Sequence, residues 1–370
     1  MCLQLPQGSS AGREEDPTGS QAMAKLAQIL EDNGMQEVDT GRLTARIPVV
    51  KFKCPKPNAE NGLDGEDALI ECDLSMHNPL AVLNTSLLRT YAEINPVTRV
   101  LASIVKRWAK ARDINNPSRH TLSSYGYILM LLHFLTFHER CGNGLVSPIA
   151  GPEGPPSHLR RPRGAPLLPN LQWMDHKRPN LPAGTPYREL QMQPQNLMQH
   201  PLEEKSIVNA YFYRVNGRTE LCNLQRLFPG QDLSLSILLA SFFRYYAYEF
   251  DYKRHVVSLH STYSRGLVER EVKAELDGWR NYSAALTIED PFETFYDVAH
   301  VLRGGYYHRI RREFAVAYSK IADAAMGGTN ASWTQSGSGE SVNASTLTGK
   351  ELIDWICEPV SNEREEAMVS

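Results

Sequence analysis

The sequence of 370 residues predicts an α+β protein, in which a small sheet comes first and a larger helical part follows. Two strand-like apolar runs, at 45–52 and 68–74, are separated by a polar loop, and a helical apolar pattern at 23–30 precedes them. After Pro79, apolar residues recur every three or four positions, which is the spacing of amphipathic helices. The helices that this spacing predicts lie at 80–91, 97–111 and 123–138.

Composition excludes several classes of protein. The net charge of -3 argues against binding nucleic acid by bulk electrostatics, although it allows a local basic groove. The six cysteines are scattered, without a C-x-x-C pair or zinc-type spacing, and predict free thiols in a reducing compartment. No apolar run reaches the ~18 residues needed to cross a bilayer. We therefore expect no membrane contact and a cytoplasmic or mitochondrial location, with no targeting signal in this chain.

Composition also changes along the chain. Residues 141–205 hold 12 of the 23 prolines, so this stretch is predicted to be a long surface loop or insertion. A short amphipathic segment at 347–356 follows a stretch rich in Gly, Ser, Asn and Thr. The predicted divisions are a disordered tail at 1–21, a sheet domain at 22–80, a helical domain at 81–326, and a flexible linker with a short helix at 327–370.

The most informative motif is the acidic strand at 70–75. Because strand side chains alternate, Glu71 and Asp73 are predicted to project to the same side. Paired carboxylates suit a hard divalent cation such as Mg²⁺, while the alternative is an edge strand with a solvated acidic face. Asn84 and Thr85 follow on the next helix and add hydrogen-bonding groups.

Two further motifs suit phosphate groups. Lys106 and Lys110 are four residues apart on a predicted helix, so both ammonium groups project from one face. Ser123, Ser124 and Tyr125 begin the next helix, where hydroxyls and free backbone amides hold anions. Each motif also has an ordinary structural interpretation, namely a solvated helix face and a helix cap.

An acidic pair, Asp290 and Glu293, is predicted to lie at the first turn of a helix that runs over 292–325. Favourable interaction with the helix dipole is the alternative to a binding role. The aromatic-rich stretch at 233–250 is interpreted as core. Together the motifs offer the groups that a nucleoside triphosphate needs for binding. These are a carboxylate for the metal, partners for the ribose and the phosphates, a ring to stack on the base and acceptors for the base edge.

These residues carry a resemblance to the terminal uridylyltransferase and non-templated poly(A) polymerase family, within the DNA polymerase β-like nucleotidyltransferases. Residues 72–75 with 84–85 resemble its third catalytic carboxylate and ribose-contacting pair. Residues 106–110 resemble its K-x-W-A-K helix, and 122–125 its L-S-S-Y step. Residues 233–259 and 288–293 resemble its poly(A)-polymerase-associated segment, so the similarity covers about 23–325.

The resemblance implies a nucleotidyltransferase palm sheet, truncated here, packed on a larger helical poly(A)-polymerase-associated domain. It implies addition of UMP from UTP to single-stranded RNA 3' ends, using two Mg²⁺ or Mn²⁺ ions about 4 Å apart. Asp73 would be the metal ligand and catalytic carboxylate, Tyr125 would stack on the base, and the acidic pair would read its edge. The nucleotide-binding residues implied are Asn84, Thr85, Lys106, Lys110, Ser124, Tyr125, Asp290, Glu293 and Tyr296.

The chain departs from the family pattern in two places. The family places a Gly-Ser turn before an acidic-apolar-acidic strand that supplies two metal ligands, whereas here Gly8-Ser9 precedes 14–16 too closely and Pro17 follows. The two carboxylates that supply these metal ligands in the family are therefore missing from the strands predicted here. Tyr296 stands where some uridine-selective members have histidine, which leaves UTP or ATP preference open.

Alternatives to a uridylyltransferase follow from these departures. The chain is then either a shortened form of a longer enzyme or a catalytically dead subunit of an RNA-processing complex. The dead subunit would bind RNA through the basic insertion, with Arg160, Arg161 and Arg163, and a partner protein through 347–356. A third alternative is an active non-templated poly(A) polymerase.

Overall fold

The computed structural model shows a mixed α+β protein, as predicted. The residues that it describes are 2–3, 19–45, 48–55, 69–76, 78–137, 166–172, 174, 197–199, 207–228, 235–260, 267–277, 279, 285–325 and 349–359. The predictions that concern Gly8-Ser9, residues 14–17 and the arginines at 160–163 lie outside the described residues.

The chain divides into two compact units. The first comprises Met1–Leu87 with Pro194–Ala210, and the second comprises Leu88–Gln193 with Tyr211–Ser370. The division falls inside a helix, at residues 87–88, rather than at the predicted 80–81.

The first unit contains a four-stranded sheet in the order β1-β4-β3-β2. Its elements are β1 (Cys2–Leu3), α1 (Ser20–Asp32), β2 (Gln36–Arg42), β3 (Val49–Pro55), β4 (Leu69–Met76) and a separate hairpin of β5 (Leu197–Gln199) and β6 (Ile207–Asn209). Residues 2–3, predicted as part of a disordered tail at 1–21, form β1 instead, because Cys2 pairs in parallel with Ser75 and so satisfies its backbone. β2 was not predicted, since nearly all of its residues are exposed and its sequence lacks apolar alternation.

The core of the first unit forms between α1 and the sheet. Met23 and Ala27, four residues apart on α1, are buried against Val50 of β3 and Leu74 of β4. The helix ends before Gly34, whose φ of +79° suits glycine, as the predicted Asn-Gly stop requires.

The three helices predicted after residue 79 are present, as α2 (Pro79–Ile94), α3 (Pro96–Ala111) and α4 (Ser124–Phe137). The side chain of Asn95 accepts a hydrogen bond of 3.1 Å from the amide of Val97 and so caps α3, with Pro96 at the first helical position. Asn78 Oδ1 caps α2 in the same way, at 3.0 Å from the amide of Ala81.

The second unit continues with further helices and a two-stranded ribbon. These elements are α5 (Gly217–Leu227), α6 (Leu235–Arg244), a π-helical turn (Tyr245–Glu249), β7 (His255–Val256), β8 (Val268–Glu269), α7 (Arg270–Asp277), α8 (Tyr306–Ala325) and α9 (Gly349–Ile356). The predicted helix over 292–325 is therefore wrong at its start, because 291–305 folds as turns, which include Gly304 with a φ of +58°, and the helix begins at Tyr306.

Aromatic side chains fill the core of the second unit. The ring of Trp108 on α3 lies 4.9 Å from Phe243 on α6 and 5.1 Å from Phe314 on α8. Phe242 and Tyr246 are fully buried beside them, which confirms that the aromatic stretch is core. Tyr248 is the exception, at 58% exposure.

Part of the Pro-rich stretch at 141–205 is buried rather than a surface loop. Leu167 and Leu168 are 2% or less exposed, and the amide of Leu168 donates to the carbonyl of Leu135 at 3.1 Å. The amide of Leu171 donates to Tyr91 Oη at 3.2 Å. These apolar residues lie among prolines in the sequence, and in the structure they are buried and hydrogen-bonded to α2 and α4.

The C-terminal helix α9 packs on its own chain. Asp354 forms an ion pair of 2.6 Å with Arg107, and Lys320 Nζ lies 2.8 Å from Glu358. Ile356 is 1% exposed, so this side of the predicted partner-binding helix is already covered. No helix among the described residues is long and apolar enough to cross a membrane.

Candidate nucleotide site

The acidic turn, residues 288–299, is closed by its own side chains. Asp290 Oδ1 accepts hydrogen bonds from the amides of Phe292 at 2.9 Å and Glu293 at 3.0 Å. The amide of Asp290 donates to the carbonyl of Tyr296 at 3.2 Å. The predicted helical first turn is therefore corrected to an Asx-type turn, in which an aspartate competes with helix formation by binding local amides.

The acidic turn is joined to α4 by one hydrogen bond between predicted site residues. Tyr125 Oη, in the first turn of α4, donates to Asp290 Oδ2 at 3.0 Å. Burial, with the charge of Asp290, raises the pKa of the Tyr125 hydroxyl well above its usual value, so it remains a donor. Burial also raises the pKa of Asp290, whose side chain is 4% exposed. The bond fixes the position of the Tyr125 ring.

The two ends of the acidic turn are tied by Asp297. Its Oδ1 accepts from the amide of Ile288 at 3.0 Å and from the amide of Ala299 at 2.8 Å. The amide of Val298 donates to the carbonyl of Ile288 at 2.8 Å. Burial raises the pKa of Asp297 to about 6, although these amide bonds favour the charged form.

A buried charge cluster supports the same turn from α7. Lys273 Nζ donates to Glu289 Oε1 and to the carbonyl of Thr294, the latter at 2.7 Å. His260 Nδ1 lies 2.9 Å from Glu289 Oε2. Burial would raise the pKa of Glu289, but the charges of His260 and Lys273 lower it to about 2. Glu289 is therefore a paired carboxylate that holds the turn to α7.

Gln172 provides a further anchor from within the Pro-rich stretch. Its Nε2 donates to the carbonyl of Pro291, and the residue is 1% exposed. No sequence pattern indicated a role for Gln172, Lys273 or Asp297, because polar residues of these types are mostly exposed in folded proteins. They were missed for that reason.

The predicted phosphate-contacting residues lie on α3 and α4, which pack against each other. Lys106 and Lys110 are exposed, with Trp108 buried between them, as the helical spacing requires. Ser123 Oγ accepts from the amide of Gly126 at 3.2 Å and acts as the cap. Ser124 Oγ is half-buried and accepts from Asn115 Nδ2 at 2.8 Å.

The predicted residues of the first unit lie on β4 and α2. Glu71 and Asp73 are both exposed and alternate with buried Leu74, as expected for a strand. Across the sheet, Asp73 is in register with Lys51 of β3. Asn84 is half-buried, and Thr85 Oγ1 donates to the carbonyl of Ala81 at 2.8 Å.

The chain resembles known proteins over both units. A family model described as "Poly(A) RNA polymerase, mitochondrial-like, central palm domain" matches residues 1–93, and one described as "Cid1 family poly A polymerase" matches 234–294. The terminal uridylyltransferase cid1 of Schizosaccharomyces pombe is 29% identical over 285 residues, covering 74% of this chain and 54% of that protein. The poly(A) RNA polymerase GLD2 of Mus musculus is 26% identical, covering 75% and 43%.

Solved structures agree with these sequence matches. A crystal structure of the Cid1 poly(U) polymerase with Mg and 3'-dATP bound superimposes with a TM-score of 0.54 at 25% identity, covering 86% of this chain and 74% of that chain. The chain belongs to the terminal uridylyltransferase and poly(A) polymerase family of nucleotidyltransferases. It spans about half the length of the curated relatives that it matches.

The metal centre expected of this nucleotidyltransferase family is incomplete in the described part of the chain. No group of three His, Cys, Asp or Glu side chains among those residues is placed to hold a metal ion. Glu71 and Asp73 lie on one strand, so they cannot surround two cations. The described residues therefore fit the nucleotide of the family better than its metal ions.

Proposed function

We propose that this protein adds nucleotides to single-stranded RNA 3' ends and that its second unit selects the nucleotide, with UTP as substrate. The observation that carries the proposal is the hydrogen bond from Tyr125 to Asp290. It brings together two motifs 165 residues apart in the sequence, and the family resemblance implies a nucleotide-binding role for each of them. The names of the relatives support the reaction, and a structure of Cid1 in complex with its short product ApU supports RNA as substrate.

Each residue has a role that follows from its chemistry. Lys106 and Lys110 would offset triphosphate charge, with Ser124 as a hydrogen-bond partner. The Tyr125 ring, fixed through its hydroxyl, would stack on the base. Each carboxylate oxygen has two acceptor sites, so Asp290 keeps capacity to meet the base edge, directly or through water, beside Glu293.

Divalent metal ions, Mg²⁺ or Mn²⁺, would require carboxylates beyond Asp73. β1 is parallel to β4, with Cys2 opposite Ser75, so a residue one position before Met1 would lie opposite Asp73. We propose that the full-length protein carries the family's acidic-apolar-acidic motif on such an extension of β1. Mass spectrometry of the endogenous protein checks this, because peptides that precede Met1 would support it and a protein that starts at Met1 would refute it.

The nucleotide is tested by thermal unfolding with UTP or ATP and by extension of an RNA 3' end. At a UTP concentration of 100 Kd, binding should stabilise the protein by about 2.7 kcal/mol. Tyr125→Ala should raise the Kd and KM for UTP, while Tyr248→Ala, whose ring is 58% exposed, is the matched control. Protection by neither nucleotide would refute the proposal.

Stronger protection by ATP would favour a poly(A) polymerase, an alternative that the GLD2 relatives and Tyr296 support. Nucleotide binding by the full-length protein without RNA extension would favour the catalytically dead subunit. A partner protein at 347–356 and a cytoplasmic or mitochondrial location stay predictions.

A further inference from the structure

We propose that Asp297 is a positioning residue of the acidic turn, whose buried carboxylate sets nucleotide affinity by holding Asp290 and Tyr296 in place. The inference rests on the proposed function of that turn. Asp297 is not among the residues that the family resemblance or the sequence motifs assign to the site.

Geometry gives Asp297 control over both ends of the turn. Its Oδ1 accepts from the amide of Ile288 at 3.0 Å and from that of Ala299 at 2.8 Å, so one atom joins the first and last residues of the turn. The loop enclosed by these bonds contains Asp290 and Tyr296, whose backbones are hydrogen-bonded at 3.2 Å. A change at Asp297 Oδ1 therefore acts on the spacing of the groups proposed to meet the base.

The second carboxylate oxygen of Asp297 shows that burial of this charge is unfavourable for the free energy of folding. Oδ2 is buried and finds no hydrogen-bond partner among the described residues, and the side chain is 7% exposed. A buried anion without full pairing is unfavourable, and an amide or alcohol would bury less charge. Protein stability therefore does not explain the charge. The charge instead strengthens the hydrogen bonds that the carboxylate accepts from the two backbone amides.

The charged groups that act on Asp297 come from two elements. Arg270, at the start of α7, and His300, within the segment that follows the turn, both favour its ionised form, whereas burial opposes it and raises the pKa to about 6. Glu289, which forms a backbone bridge with Asp297, is itself paired with Lys273 and His260. Asp297 is thus ionised above about pH 6 and neutral below it.

The test is the Kd of Mg-UTP, measured between pH 5.5 and 8 for the wild-type protein, Asp297→Asn and Asp297→Ala. At pH 8 the Asn variant should bind UTP about fivefold more weakly, since a neutral acceptor bonds about half as strongly as a charged one. The ratio of the two affinities should fall to about twofold at pH 5.5, where only about a quarter of Asp297 is ionised, and groups that titrate in both proteins cancel from this ratio. The Ala variant should bind more weakly than Asn at every pH.

Two controls separate the possible failures. Asp251 also accepts two backbone amides through Oδ1, at 3.0 and 3.2 Å, but is exposed and outside the turn, so Asp251→Asn should leave UTP affinity unchanged. If Asp290→Ala does not weaken UTP binding, the proposed function fails. If Asp290→Ala weakens binding but Asp297→Asn matches the wild type at every pH, this inference alone is overturned.

Discussion

The acidic turn and β4 both present carboxylates, but they differ in how those carboxylates are held. Asp290 and Asp297 are 4% and 7% exposed, and each accepts two backbone amides from its own segment. Asp73 of β4 is exposed and belongs to no group of three potential metal ligands among the described residues. The carboxylates of the acidic turn are thus held by backbone amides of their own segment, whereas a metal centre for two cations needs carboxylates from separate strands.

The largest effect should come from the exposed carboxylate. In the full-length protein, Asp73→Ala should reduce RNA extension by about 10⁴-fold or more, equivalent to about 5 kcal/mol, because Asp73 would supply a metal ligand that neither Glu71 nor the carboxylates proposed on the extension of β1 replace. The rate of extension of an RNA oligonucleotide measures this. Glu71→Ala, on the same side of β4, should have a much smaller effect, and normal extension by the Asp73 variant would remove Asp73 from the catalytic site.

The next effect concerns the anchor of the acidic turn. Lys273→Met should lower the free energy of unfolding by about 3–5 kcal/mol, since it leaves Glu289 charged and buried without its ammonium partner. Urea denaturation measures the loss. Lys253→Met, at an exposed position, should change stability by about 0.5 kcal/mol or less. Similar losses for the two variants would show that the buried pair is not an anchor.

A smaller effect is expected in the pH dependence of stability. Folding raises the pKa of Asp297 from 3.8 to about 6, so the folded state binds a proton more readily and wild-type stability rises as pH falls through this window. Relative to Asp297→Asn, the wild type should gain about 2–3 kcal/mol between pH 8 and pH 4. A constant difference across this range, measured by urea denaturation, would contradict ionisation of Asp297 in the folded protein.

The sequence predicted well where local pattern determines structure. Alternation on β4 placed Glu71 and Asp73 on one side, and helical spacing placed Lys106 and Lys110 on an exposed face. Tyr125 was predicted at a helix start, and its distant partner Asp290 followed from the family resemblance rather than from spacing.

The failures arise where specific hydrogen bonds or strand pairing, rather than apolar periodicity, determine the structure. The helix predicted from 292 does not form before Tyr306, since Asp290 and Asp297 bind the amides that a helix would use. Gln172 and Lys273 are buried because each has a specific partner, and polar residue type alone does not show this. β2 lacks the apolar alternation on which strand prediction depends.

The π-helical turn at Tyr245–Glu249 has a consequence for comparing sequences. The amide of Phe250 donates to the carbonyl of Tyr245 at 2.9 Å, five residues back, so this turn contains one residue more than an α-helical turn. The additional residue shifts the rotational phase of the chain by one position, and Phe250 is buried after this turn whereas Glu249 is exposed. In an alignment with a relative whose helix is regular here, a gap of one position is the structurally correct choice.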